Sequence, residues 1–360
     1  MSEEPALEQT IRRAFTQQAN SCRELGSPFT ARLCMIASAR LTAGHPVGEK
    51  ILSWAGDPSP SGDSVPLRLA GALHALVLSG TDGDLAAVYP PHPIDNDDDL
   101  WSAIENALQR HASFILDRLT SAPQTNEVRR SGALLPGFLT ISSLLQKPLV
   151  LSEVGASAGL NLQWDRYDYR FGNRPWALRP SPVLIGPEWR GSMPPLDVGI
   201  HVASRAGCDL NPLNPASEAD ALRLLSYIWA DQQDRLERTR FALSIAAGNR
   251  QTVDRADAVD WLEQRLQEVR EDQVHVVYHT IAWQYLPASS KAKGEALIAA
   301  AGARATQKAP LARLQMEADE QKHNGAALTL QIWPSGEKHL IGRADFHGRW
   351  VEWIGWPGLH

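Results

Sequence analysis

Cysteine is scarce in this chain and long apolar runs are missing, and each absence narrows the field. The three cysteines, Cys22, Cys34 and Cys208, are odd in number and widely spaced. That pattern argues against a disulfide framework and for a reducing compartment, the cytoplasm. The longest apolar stretch, Ala70 to Ser79, is interrupted by His74; it is too short for a bilayer span, so no membrane partner is expected. The first fifteen residues, MSEEPALEQTIRRAF, begin acidic and lack the apolar segment of a secretory signal. A basic excess is absent too. Lys and Arg number 35 against 41 Asp and Glu, which gives no general attraction to nucleic acid. There is no C-x-x-C, no H-E-x-x-H and no P-loop, so no metal site is predicted. No internal repeat or low-complexity segment is found.

What is present is an ordinary globular composition over 360 residues, with a hydrophobic fraction of 43% that can build a substantial core. Tryptophan is the exception. Twelve occur, many of them grouped around 164–189 and at Trp333, Trp350, Trp353 and Trp356. Such rings line ligand clefts or fill large cores.

Residues 1–125 read as a helical domain. Ala6–Ala19, Phe29–Leu41, Leu67–Leu78 and Leu100–Leu119 carry apolar positions at helical spacing, and Gly-Pro-rich breaks separate them. The character changes near residue 148. Pro148–Val154 is a short apolar run stopped by Gly155, as in a buried parallel strand. Further short runs follow at Gly199–Ala203, Thr252–Arg255 and His275–His279. Helical stretches Ser217–Ala246, Ala256–Val269 and Ser289–Ala301 alternate with them. This alternation predicts an α/β domain with a mostly parallel sheet over 126–360. Leu311–Glu317, Ala326–Trp333 and Lys338–Trp353 read as three closing strands, and the Pro334-Ser335-Gly336 turn is short enough to force an antiparallel hairpin. Residues 164–198, rich in Trp, Arg, Gly and Pro, interrupt the rhythm and read as an insertion, expected over the ligand-binding edge of the sheet.

The chemistry concentrates in Glu153-Val154-Gly155-Ala156-Ser157-Ala158-Gly159-Leu160-Asn161. A strand ends, glycines permit positive φ and close backbone approach, and a helix is expected to start. The pattern E-x-G-x-S-x-G resembles the methyltransferase glycine loop, with Ser157 in place of its middle glycine. The next predicted strand leads to Asp209, which either meets ribose hydroxyls or forms an Asx turn. The third leads to Asp257 and Ala258, an acid-then-small pair that meets an adenine or caps a helix. The fourth ends in Tyr278 and His279, where the resemblance to methyltransferases implies residues facing a transferred methyl. His275 and His279 share one strand face; they act as base or ligand, or are simply buried and hydrogen-bonded.

Several longer stretches carry a family resemblance: Gln124–Arg130 with Ala133–Pro136, Glu153–Asn161, Gly207–Pro212, Trp229–Gln232 and His347–Val351. On these the chain resembles a bacterial family of unknown function with a class I AdoMet-dependent methyltransferase-like fold, Rossmann-like and closed by an antiparallel C-terminal hairpin. The resemblance implies S-adenosylmethionine as cofactor, with Glu153, Gly155, Ser157, Gly159, Asn161, Asp209, Asp257 and Ala258 as its contacts and Tyr278 and His279 at the reacting end. The expected acceptor is a small molecule. The rivals are a non-catalytic AdoMet or nucleotide binder engaging a protein, and an NAD-dependent oxidoreductase, which the terminal hairpin disfavours.

Overall fold

Apolar residues every three or four positions produce helices in the first third of the chain, and seven appear there in the computed structural model, which describes residues 4–94, 96–249 and 253–359. They are α1 (Glu4–Glu24), α2 (Pro28–Arg40), α3 (Pro46–Leu52), α4 (Val65–Leu78), α5 (Gly83–Ala87), α6 (Asp97–Arg110) and α7 (Ala112–Leu119). Ile11, Phe15 and Ala19 lie at i, i+4 and i+8 on one face of α1 and are fully buried. Local caps set the starts. Ser27 accepts from the Thr30 amide at 3.3 Å and Asp82 from Leu85 at 2.9 Å. Asn96 accepts from Asp99 at 2.8 Å, with Asp97, Asp98 and Asp99 in the first turn of α6. The single helix expected over Leu100–Leu119 is two, broken at His111, whose Nε2 lies 3.0 Å from Asp82.

The sheet follows α8 (Ser131–Leu145). Its first strand, β1 (Leu149–Val154), is buried along its whole length. The glycine turn then enters a six-residue 3-10 helix, Asn161–Arg166, in place of the expected α-helix. Residues 164–198 form β2 (Asp168–Phe171), β3 (Arg174–Trp176) and β4 (Leu184–Ile185), a small separate sheet, and then β5 (Glu188–Gly191). The strand expected at Gly199–Ala203 lies later, as β6 (Val202–Asp209). It carries the polar Ser204-Arg205 pair through its middle because Asp165 neutralises Arg205 at 2.6 and 2.9 Å. The long helix expected over 217–246 is two, α9 (Glu218–Ser226) and α10 (Gln233–Gly248). Then come β7 (Asp254–Arg255), α11 (Ala258–Arg265), β8 (Val274–Thr280) and α12 (Ala288–Arg304). Thr252, expected in β7, lies outside the described residues.

Four strands close the chain: β9 (Leu311–Glu317), β10 (Ala326–Trp333), β11 (Glu337–Ala344) and β12 (Trp350–Trp353). The nine-stranded order is β5-β12-β11-β10-β9-β8-β1-β6-β7. From β7 to β9 every neighbour is parallel, and β10 runs antiparallel to both β9 and β11. The predicted hairpin across Pro334-Ser335-Gly336 is therefore present. The expected last strand, Lys338–Trp353, is interrupted at Phe346-His347-Gly348, and the edge beyond it is completed by β5, parallel to β12. The insertion thus reaches the margin of the sheet opposite β7.

Two compact units result. One comprises residues 1–125 with 218–237, and the other residues 126–217 with 238–360. Sequence reading kept 218–237 with the sheet. Within the helical unit, Asp231 explains why it packs there: its carboxylate accepts from Ser27 Oγ at 2.6 Å and from the Phe29 amide at 2.9 Å. Gly71 of α4 leaves room for the Tyr227 ring, which a Cβ would meet at 2.6 Å. Among the described residues no helix is long and apolar enough to cross a membrane.

Candidate functional site

Ligands in parallel α/β sheets sit at the carboxyl ends of the strands, and here those ends are Val154, Asp209, Arg255, Thr280 and Glu317. The chain leaves β1 through a turn with positive φ at Gly155 (71°), Ser157 (54°) and Gly159 (71°). The amides of Gly155 and Ala156 both donate to the Cys208 carbonyl, at 2.9 and 3.0 Å, hooking the turn onto the end of β6. Asp209 continues the hook. One of its carboxylate oxygens accepts from the Ser157 amide at 2.9 Å and the other from Asn211 at 2.8 Å. On the far side Asn126 accepts from the Leu160 amide at 2.9 Å, and Ser131 donates to Asn161 at 2.7 Å. Most of the turn is buried, but Gly155 is exposed. A Cβ there would fall 2.5 Å from that of Ala282, so only glycine lets the loop carrying Ala282 pack this close.

Beneath the turn, Glu153 points inward and is 1% exposed. The Tyr278 hydroxyl donates to it and to the Asn161 carbonyl, each at 3.3 Å. Burial pushes the Glu153 carboxyl well above its usual range, and the Tyr278 hydrogen bond only partly opposes this. Tyr278 itself has no exposed surface and is packed edge-on against Phe138.

His279 points to the other sheet face and is also fully buried. Its Nδ1 lies 2.6 Å from Glu317, while Nε2 faces the donors Gln315 and Arg313 at 3.2 and 3.3 Å. The ring therefore carries its proton on Nδ1. Burial pulls its pKa below the ordinary value, despite the nearby Glu317. Glu317 also accepts from the amides of Ala282, Trp283 and Gln284, at 3.0, 3.0 and 3.3 Å. It thereby fixes the loop that faces Gly155. Ile281 within that loop adopts φ 49°, a left-handed conformation costly for a β-branched residue. Sequence reading missed Glu317 and Ile281, although the end of the strand beside β8 was the place to look.

At the third strand end, Asp257 Oδ1 accepts from Val259 and Asp260, at 2.8 and 3.3 Å, and so caps α11, whose first residue is Ala258. Both alternatives for Asp257 stay open, since Oδ2 carries no bond among the described residues. Two stretches of the family resemblance also meet at this end of the sheet. Arg130 donates to the carbonyls of Thr280 and Phe346, at 3.2 and 3.0 Å, and Gly348 packs so closely that a Cβ would lie 2.5 Å from the Arg129 carbonyl.

The turn also spells Gly155-x-Ser157-x-Gly159, the spacing of a hydrolase nucleophile elbow. Ser157 is 4% exposed, and the two histidines of β8 are held elsewhere, His275 by Ser152 and His279 by Glu317. Neither supplies Ser157 with a base. Of the insertion's rings, Trp164 is fully buried, stacked 4.2 Å from Phe138, and Trp189 packs against Phe171 and Trp353 toward the β5 margin. Trp164 is thus core, while Trp189 is only half-buried.

A parallel sheet extended by antiparallel strands, with a glycine turn at its carboxyl end, defines an α/β protein with a Rossmann-like parallel half. The chain belongs to the bacterial family described as "Uncharacterized protein conserved in bacteria (DUF2332)", whose model matches residues 12–353. Among curated proteins nothing matches it. Among solved structures it is similar to an O-methyltransferase family protein from Burkholderia thailandensis, at 13% identity and a TM-score of 0.24, over 89% of this chain and 78% of that one.

Proposed function

We propose that this protein is an AdoMet-dependent methyltransferase acting on a small-molecule acceptor. The observation that carries the reading is the turn after β1, with three positive φ angles and an exposed Gly155 at the carboxyl end of a parallel sheet. An exposed glycine in a positive-φ turn suits a ligand approaching the backbone closely. Gly155, Ser157 and Gly159 would hold the cofactor along the turn, with Asp209 toward the ribose and Asp257 and Ala258 toward the base. Each Asp209 oxygen accepts one amide and has a second lone pair to offer. Glu153 and Asn161, both buried, support the turn from below. Bound AdoMet supplies an electrophilic methyl group, whose transfer can proceed largely by positioning.

Tyr278 and His279 are positioning residues in this reading. Tyr278 ties Glu153 to Asn161, and His279 with Glu317 holds the 281–284 loop against Gly155. Their enclosure favours, as a second reading, a binder that performs no proton transfer. Calorimetric titration with AdoMet, S-adenosylhomocysteine and NAD in parallel tests the proposal. Binding of the first two and not NAD is expected; binding of NAD alone, or of none, overturns it. Binding without methyl transfer to any compound of a metabolite mixture selects the second reading.

A further inference from the structure

A second cluster lies at the opposite, amino end of the sheet and has no part in the site above. A cavity of about 40 Å³ opens there, lined by His275 at the start of β8, Leu311 at the start of β9, and Glu268, Arg270 and Arg304. A single water occupies roughly 10–15 Å³ by the same measure, so the space fits one small polyatomic ion.

The hydrogen bonds around it decide the sign of that ion. Arg265, which stacks over Trp261, donates through Nε and a terminal nitrogen to Ser152 Oγ, both at 3.2 Å. Ser152 Oγ, accepting from Arg265, has its own proton to give to His275 Nε2 at 2.8 Å. That assignment leaves the neutral imidazole with its proton on Nδ1, which has no acceptor among the described residues. Burial, followed by the charges of Arg265 and Arg270, pulls His275 down to about 3, so the ring is neutral at physiological pH. Arg270 is paired with Glu268 through a terminal nitrogen, but its buried Nε–H donates to no atom among the described residues. Arg304 commits two donors, to Ala300 and Leu266, and has three more. Apart from Glu268, already engaged by Arg270, the polar side chains of this cavity offer donors and positive charge.

We propose that this cavity is a binding site for a small tetrahedral oxyanion, phosphate or sulfate, held by Arg270, Arg304 and the Nδ1–H of His275. An anion rich in acceptor oxygens complements side chains that, Glu268 apart, are donors, and guanidinium forks suit its geometry. Glu268 competes with the ion for Arg270.

The test is titration of the full chain with inorganic phosphate and with sulfate, against chloride at matched ionic strength. Glycerol 2-phosphate serves as a further arm, distinguishing a free ion from a phosphorylated compound. Saturable one-to-one oxyanion binding is expected, weakened about tenfold or more in Arg270→Gln, the loss of one charge-assisted contact. Glu268→Gln should tighten it, an effect that a merely structural Arg270–Glu268 pair would not give. It also keeps the idea testable should Arg270→Gln fail to fold. Absence of saturable binding, or equal affinity in wild type and Glu268→Gln, overturns the proposal.

Discussion

Asp209 shows how one side chain can hold a backbone and still face a ligand. Its two oxygens accept from Ser157 and Asn211, so Asp209→Ala should lower stability by about 2–3 kcal/mol, the scale of hydrogen bonds to a charged group. If Asp209 also meets the ribose, the folded variant should lose AdoMet affinity roughly tenfold or more. Melting temperature and calorimetric affinity on the one variant separate the roles, and an unchanged affinity would remove Asp209 from the cofactor site. Glu153 gives a different signature. Burial raises its folded pKa, so above the ordinary carboxyl value the unfolded chain releases a proton that the folded chain retains. Its contribution to stability therefore declines as pH rises through that window. Glu153→Gln removes the dependence: the melting temperature of the variant relative to wild type should climb from pH 5 to pH 8. A difference that stays flat with pH would contradict the assignment.

At the scale of elements, the most sharply determined join is the turn between β11 and β12. Gly348 has φ 70° and lies against the Arg129 carbonyl, so Gly348→Ala should cost about 1–3 kcal/mol through left-handed strain and the clash. Denaturant unfolding measures it, and a loss under 0.5 kcal/mol would show that the turn relaxes freely. This turn also shows where sequence reading stops. The ends of β9 and β10 were legible because apolar runs and turn residues bound them on both sides. Lys338–Trp353 was read as continuous although its break has a local signal: Asp345 accepts from the amides of His347 and Arg349 at 3.0 and 3.2 Å, and Arg129 and Arg130 brace the turn from far away in the chain. β6 was misplaced for want of a distant partner: its Arg205 reads as exposed until Asp165 arrives from the insertion. The glycine turn and the acids at the strand ends could be read from local pattern. The partners of Tyr278 and His279 could not, since Glu153 and Glu317 stand 125 and 38 residues away from them.

For the whole molecule, the helical unit is assembled from two separated stretches, 1–125 and 218–237. A fragment ending at residue 125 lacks Tyr227 against Gly71 and Asp231 at the start of α2. It should therefore show reduced helicity and bind a hydrophobic dye, and a peptide of residues 218–237 added in trans should reverse both. A fragment that is fully helical and dye-silent by itself would refute this dependence. The β5–β12 pairing carries a consequence for synthesis on the ribosome. Residues 188–191 emerge about 160 residues before residues 350–353, their only strand partner in the sheet among the described residues. Through that interval the nascent chain holds a strand edge with nothing to pair it, the kind of surface that slows folding and invites association with other chains. Its short length and the charged Glu188 and Arg190 keep that edge unattractive to neighbours while it waits.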